Sequence, residues 1–203
     1  MTVRLQDRLQ QHFNKQPSAW KENLPFALWL VDRFKPGVVL DLGVDWGHST
    51  MCWANDNSCD VYGVDTWEPN SYSTVGHNFD YFVKTFSSFK SREIPNMHLI
   101  KKDHRVCEST WDRSIDIIHF DILHDYEGVK QEYALWKSHV RPGGVFVFHD
   151  LLSFPEGCGK FFVEDLTMPR VSFNNQYGLG VMSDDTDLLS DIINKFDVTP
   201  FDV

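Results

Sequence analysis

Residues 38–50 read VVLDLGVDWGHST, an apolar run that reaches an acid, Asp41, and then two glycines four positions apart, Gly43 and Gly47. Glycines placed this way permit a tight turn from strand to helix and let a ligand approach the backbone, while the new helix presents unpaired N–H groups to an anionic group. A dinucleotide-binding turn follows G-x-G-x-x-G, but here Val44, Asp45 and Trp46 separate the glycines. Asp45 and Trp46 would set negative charge and bulk where a pyrophosphate must lie. A ligand with both an ammonium and a carboxylate could use the acids and the helix amides together, and S-adenosylmethionine is such a ligand. Asp65, closing VYGVD, stands about 20 residues beyond the turn, the offset at which an acid accepts hydrogen bonds from ribose hydroxyls. Singly, a glycine turn is weak evidence and a strand-end Asp is often only a helix cap; together, in register with the strand pattern, they favour a nucleoside.

The elements that would position these residues follow from the hydrophobic pattern. From Val38 onward short apolar runs alternate with longer amphipathic stretches: VVLDL, a helix through Met51 to Ala54, VYGVD, a helix around Phe79 to Phe89, MHLI, IDIIHFD, a helix from Tyr126 to Ser138, and GGVFVFHD. Such alternation predicts a parallel sheet with crossover helices, and strands apolar at consecutive positions predict burial on both faces. A helix near Phe161 to Leu166 and the runs VSF and LGVM predict a closing antiparallel hairpin. The expected fold is α/β, a Rossmann-like doubly wound sheet of seven mostly parallel strands. A single domain spans 1–203, with a helical cap over 1–35 (Leu5, Leu9 and Phe13 at helical spacing), the core over 36–183 and a tail over 184–203. The polar loop from Glu68 to Asn78 follows a strand's carboxyl end, where a lid is expected.

At this point the residues resemble a family. VVLDLGVDWGHST, VYGVDTWEPN, SIDIIHFDILHDYEGVKQEYALWKSHVRPGGVFVFHD and GLGVM are similar, in order, to the class I S-adenosylmethionine-dependent methyltransferases, and in particular to the small Methyltransferase 24-like domains associated with glycan and natural-product biosynthesis. The resemblance implies that Asp41, Gly43, Gly47 and Ser49 surround the methionine part of the cofactor and that Asp65 binds ribose. It further implies that Thr66 and Trp67 flank the adenosine, that Asp103 sits near the adenine edge, and that Asp121 also borders the cofactor. The usual third glycine is Asp45 or Trp46 here, and Ile122 stands where this group often has glycine.

Methyl transfer displaces a sulfonium in line, so the protein must hold an acceptor opposite the sulfur and manage its proton. Asp121 with His124, and His149 with Asp150, end the fourth and fifth strands and are the candidates for that work. His124 would accept the proton as a neutral imidazole near pH 7; by position it resembles the catalytic lysine of catechol-type relatives. In those relatives a divalent ion is held by an acid ending strand four and two groups ending strand five, which map onto Asp121, His149 and Asp150. Oxygen ligands suit Mg²⁺, and a histidine shifts preference toward a transition metal. Without metal, His149 is a second base candidate. His119, inside an apolar strand, is read as a satisfied buried histidine sharing a face with Asp121. His77, His98, His104 and His139 are read as solvent or loop histidines, and Ser183 to Asp187 as a solvated turn.

Composition bounds the rest. With 203 residues, 42% hydrophobic and 24% charged, the chain is long enough for one well-buried domain. A net charge of −10 repels phosphate backbones and anionic membranes, so neither nucleic acid nor membrane is an expected partner. The four cysteines form no C-x-x-C pair, which predicts reduced, buried thiols and a cytoplasmic chain. The expected activity is O-methylation of a hydroxyl on a small sugar-like or natural-product acceptor by a chain that could assemble as a homo-oligomer. The rivals are a catalytically altered cofactor-binding module and a metal-dependent hydroxylase on the same fold.

Overall fold

The computed structural model describes residues 18–55, 58–68, 94–175 and 177–202. The helices expected over 5–13 and 79–89, and the loop over 69–78, lie outside the described residues.

Strands β1 (Val38–Leu42), β2 (Asp60–Asp65), β3 (Met97–Lys101), β4 (Ile115–Phe120) and β5 (Val140–His149) pair in parallel in the order β3-β2-β1-β4-β5. On the far side of β5 the order continues β7 (Leu179–Met182), β6 (Arg170–Phe173) and β8 (Val198–Phe201), each pairing antiparallel with its neighbour. Among the described residues the sheet therefore has eight strands, one more than the sequence pattern predicts. The extra strand comes from the expected tail. VTPF is short, carries Pro200 and is not fully buried, so its pattern is faint; an edge position beside β6 tolerates the missing amide.

Both faces of the central strands are covered, as their near-continuous apolar runs require. Val39, Val61, Ile117, Val145 and Val147 pack with α1 (Leu24–Phe34) and α2 (His48–Trp53) on one face, joined by α5 (Thr186–Lys195). Leu40, Leu42, Ile118, Phe120, Phe146 and Phe148 face the other way, toward α4 (Tyr126–Trp136). The short helix α3 (His104–Glu108) starts at Asp103, whose carboxylate accepts the Arg105 N–H at 2.9 Å. Asp125 caps α4 through the Gly128 N–H, and Asp185 caps α5 through the Leu188 N–H. Residues 183–187 lead into that helix, with Asp184, Thr186 and Asp187 exposed as a solvated turn requires and Ser183 the exception. Ser183 is fully buried, donates to the Gly144 carbonyl at 2.9 Å and accepts from the Asp185 amide.

The helix expected near residue 161 takes a wider form. Two π-helical turns, Pro155–Gly159 and Phe161–Asp165, follow β5. π-Helical turns are rare and frequently occur at functional sites.

Candidate active site

The turn after β1 is built as its glycines predict. Gly43 has φ 93°, and a Cβ there would lie 2.2 Å from the Asp121 carbonyl oxygen, so the glycine is what lets the ends of β1 and β4 touch. Gly47, with φ 76°, precedes α2, whose six residues are all buried. Asp41 is fully buried at the centre. One carboxylate oxygen accepts the Ser49 hydroxyl at 2.8 Å and the Thr50 hydroxyl, and the other meets His119 Nδ1 at 2.6 Å. His119 is therefore the partner of the turn's acid, opposite Asp41 in the β1–β4 register. Its expected role as a satisfied buried histidine holds at Nδ1, while its Nε2 has no hydrogen-bond partner. Thr50 belongs to the same hub and was missed, although it directly follows Ser49.

Asp65 ends β2 beside this turn. Its carboxylate accepts the amides of Val44 at 2.9 Å and Asp45 at 3.0 Å on one oxygen, and that of Trp67 at 2.7 Å on the other. Three backbone donors tie the strand-end acid to the glycine turn and leave one lone-pair site, on the oxygen that meets Trp67, for a further donor. Trp67 is buried in a left-handed conformation, φ 48°, with its indole N–H directed at the Asp45 carbonyl. Thr66 follows Asp65 and accepts the Glu68 amide. Asp103 stands farther along the same edge, after β3. Its carboxylate is engaged by the Arg105 side chain at 2.6 and 2.9 Å, which lowers its pKa to about 2 and ties it to its own helix.

Past the turn, the ends of β4 and β5 bring four side chains together. His149 Nδ1 lies 3.2 Å from an Asp121 oxygen and 3.5 Å from an Asp150 oxygen. His124 Nε2 lies 3.4 Å from Asp121 and 3.1 Å from Asp150. Successive strand residues point to opposite faces. His149 turns inward, against Trp20, and Asp150 adopts φ 61°, which re-aims its carboxylate toward His124. The close trio is accordingly Asp121, His124 and Asp150, whose ligand atoms all lie within 4.8 Å of one another. The set expected from the sequence named His149 as the nitrogen ligand; His149 Nδ1 also lies beside both acids, and the geometry brings His124 to them as a further nitrogen.

The electrostatics correct a second expectation. Burial alone would lower the pKa of His124, but its contacts with Asp121 and Asp150 outweigh that and push it up to about 10. The two acids thus favour the charged imidazole, whereas the sequence reading assigns the neutral form. Burial opposes ionisation of Asp121 too, yet His149 and His124 hold its carboxyl well below the ordinary range. His149 is likewise raised by Asp121 and Asp150 against the opposing effect of burial.

Three further residues surround the cluster without having been expected there. Trp20 is buried, with its ring centroid 4.5 Å from that of His119 and 5.3 Å from that of His149. Phe154 lies against the His124 ring at 4.5 Å. Glu132, on α4, is fully buried, with His104 Nδ1 3.7 Å away and a contact from the Leu123 backbone amide. His104, expected at the surface, is buried beside it, its Nδ1 accepting the Trp136 indole N–H. A glutamate and a histidine inside polar-looking helices carry no sequence signal for burial.

With this geometry in place, comparison with known proteins is decisive at the level of family. The methyltransferase domain family matches residues 40–151, more than half of the chain, and spans the glycine turn and both strand ends of the cluster. The chain belongs to that family. The resemblance read from the sequence is borne out, as is the Rossmann-like α/β fold. An uncharacterized protein of Sinorhizobium fredii, y4gI, is 28% identical over 182 residues, covering 85% of this chain, which spans only 20% of that relative's length. Among solved structures, the SAH-bound Podospora anserina methyltransferase PaMTH1 superposes with a TM-score of 0.65 at 11% identity, covering 90% of this chain and 88% of that one. The Bacillus cereus O-methyltransferase in complex with SAH gives 0.62 at 12% identity, covering 90% and 92%. The Streptomyces achromogenes O-methyltransferase TomG in complex with SAM gives 0.61 at 10%, covering 90% and 91%. At these identities the likeness is one of fold. Among the described residues no helix is long and apolar enough to cross a membrane.

Proposed function

We propose that the chain transfers a methyl group from S-adenosylmethionine to a hydroxyl of a small acceptor. The observation that carries this reading is the adjacency of two sites on one sheet edge. The Asp41 hub and the Asp65 cradle suit an amino acid joined to a nucleoside, and the Asp121–His124–Asp150 cluster lies next along the edge, where an acceptor would stand. Asp65 offers its remaining lone-pair site to a ribose hydroxyl. The Asp41 hub fixes the turn whose backbone would meet the amino-acid end of the cofactor. Gly43, Gly47 and Ser49 shape that turn, and Thr66 and Trp67 border the nucleoside side.

At the cluster, His124 is the residue we assign to the acceptor's proton, with His149 and Asp121 as its neighbours on the strand ends. Asp121 and Asp150 stabilise the His124 imidazolium, so the acceptor's proton is taken by the neutral fraction of His124, and turnover should rise with pH. Asp121, His124 and Asp150 also have the donor chemistry of a divalent-cation site, and a bound cation would polarise an acceptor oxygen and offset the two carboxylates. The imidazole in that set favours a transition metal over Mg²⁺. A sugar-bearing or natural-product acceptor and a cytoplasmic setting belong to this proposal; four buried free thiols support the latter.

The test is incubation of the chain with S-adenosylmethionine and a panel of hydroxylated acceptors, with and without Mn²⁺, reading S-adenosylhomocysteine. Product from wild type and none from His124→Gln, with cofactor binding retained, is the expected result. Tight cofactor binding with no product from any acceptor would favour a binding module that has lost catalysis.

A further inference from the structure

The π-helical turns after β5 do more than leave the sheet. Pro155–Gly159 runs back across the cluster and meets the loop after β4 at the backbone of His124. The Cys158 N–H donates to the His124 carbonyl at 3.0 Å. The Cys158 thiol is buried, with the Asp150 carbonyl as its nearest acceptor at 3.3 Å and the His149 carbonyl beside it at 3.5 Å. One residue thereby joins the backbone of the β4 end to that of the β5 end. Gly157 makes the approach close: a Cβ there would lie 1.9 Å from the His124 carbonyl oxygen. Its φ of −108° and ψ of −111° depart from helical geometry, which breaks the turn at that point.

The far end of the segment is fastened to the fold. Arg170 on β6, itself buried, donates through Nε to the Phe162 carbonyl and through Nη2 to the Val163 carbonyl, both at 2.8 Å. Asp165 accepts the Tyr126 hydroxyl at 2.7 Å, tying the segment to the first turn of α4. A strut anchored at one end and bonded to His124 at the other imposes a position on the loop that carries His124.

We propose that Gly157 and Cys158 form a latch that sets the spacing between the β4-end and β5-end halves of the Asp121–His124–Asp150 cluster, making Cys158 a positioning residue for the reaction. This rests on the cluster having the role proposed above. The thiol keeps its proton throughout the physiological range, because burial and then the nearby carboxylates of Asp150 and Asp121 push its pKa up to about 12, so it serves as a donor. Groups that orient ligands from behind commonly change metal affinity by about 10- to 100-fold when removed.

The experiment uses the full chain and Mn²⁺ as the probe, in calorimetric titrations of wild type, Cys158→Ala and Cys158→Ser, with hydrogen exchange of residues 121–125 followed in parallel. Gly157→Ala is a harsher variant, and the Cys158 pair keeps the test open should it fail to fold. Cys158→Ala is expected to weaken Mn²⁺ binding about 10-fold and to speed exchange in 121–125, Cys158→Ser to restore most of both, and S-adenosylhomocysteine affinity to stay unchanged in all. Wild-type Mn²⁺ affinity and exchange in Cys158→Ala would overturn the latch. If wild type itself binds no Mn²⁺, the cation reading of the cluster fails, and exchange alone decides: faster in Ala and recovered in Ser upholds the latch, unchanged in Ala overturns it.

Discussion

Glu132→Gln should raise stability, and the gain should grow with pH. The carboxyl lies on α4 with no exposed side-chain surface, and the Leu123 backbone amide only partly compensates its burial. Burial is the main cause that pushes its pKa from 4.5 to about 8, partly offset by the His124 charge and reinforced by Asp121. A folded-state pKa above the unfolded one means that the folded chain holds the proton more tightly. The associated stability is fully present below pH 4.5 and is lost as pH rises through about 8. At about 1.4 kcal/mol per pH unit the whole gap is worth up to about 5 kcal/mol. Glutamine keeps the shape and has nothing to ionise. Urea unfolding of both proteins at pH 5, 6.5 and 8 isolates the effect, because every other titrating group is shared and cancels in the difference. The difference in unfolding free energy should widen in favour of the glutamine variant by roughly 1 kcal/mol per pH unit across that range. Parallel stability curves for the two proteins would show that Glu132 ionises freely and would refute the burial argument.

Other consequences follow from single contacts. Gly43→Ala combines a left-handed φ with a 2.2 Å approach to the Asp121 carbonyl, so thermal denaturation should report a loss of about 3 kcal/mol or more. Thr50→Val removes one of the two hydroxyl donors to buried Asp41 and should cost about 1–3 kcal/mol in denaturant unfolding. His124→Gln should abolish S-adenosylhomocysteine formation while leaving calorimetric cofactor affinity within about twofold, since it lies on the acceptor side of the edge. Arg105→Gln frees the Asp103 carboxylate from its present partner, and the Asp103 carboxyl titration followed by NMR should move up from about 2 toward the ordinary value of 3.8.

What the sequence reveals depends on whether the causes are local. The β1 turn was legible because a strand ending in Asp41 and a helix entered through Gly47 need only neighbouring residues to form, and the period of the apolar runs named each core strand. Asp121, His124, His149 and Asp150 were legible as a group, since the carboxyl ends of adjacent parallel strands must meet. That both histidines reach both carboxylates was hidden, because it turns on the left-handed backbone of Asp150 and on the loop that carries His124 back over the strand ends. The charge of His124 was hidden for the same reason, being set by two acids 3 and 26 positions away whose distances only the fold fixes. His104 reads as a solvent or loop histidine and Glu132 carries no signal of its own, as polar identity gives no hint of burial against a neighbouring helix. Strand β8 escaped because four residues around Pro200 make almost no pattern, yet β6 supplies an edge to pair with.

The central claim is that the β1 turn and Asp65 together hold S-adenosylmethionine. Calorimetric titration of S-adenosylhomocysteine into wild type and Asp65→Ala measures it most directly. Saturable binding by wild type that falls by at least about tenfold in Asp65→Ala is the predicted result. No heat from wild type at millimolar ligand, or equal affinity in the two proteins, would contradict it.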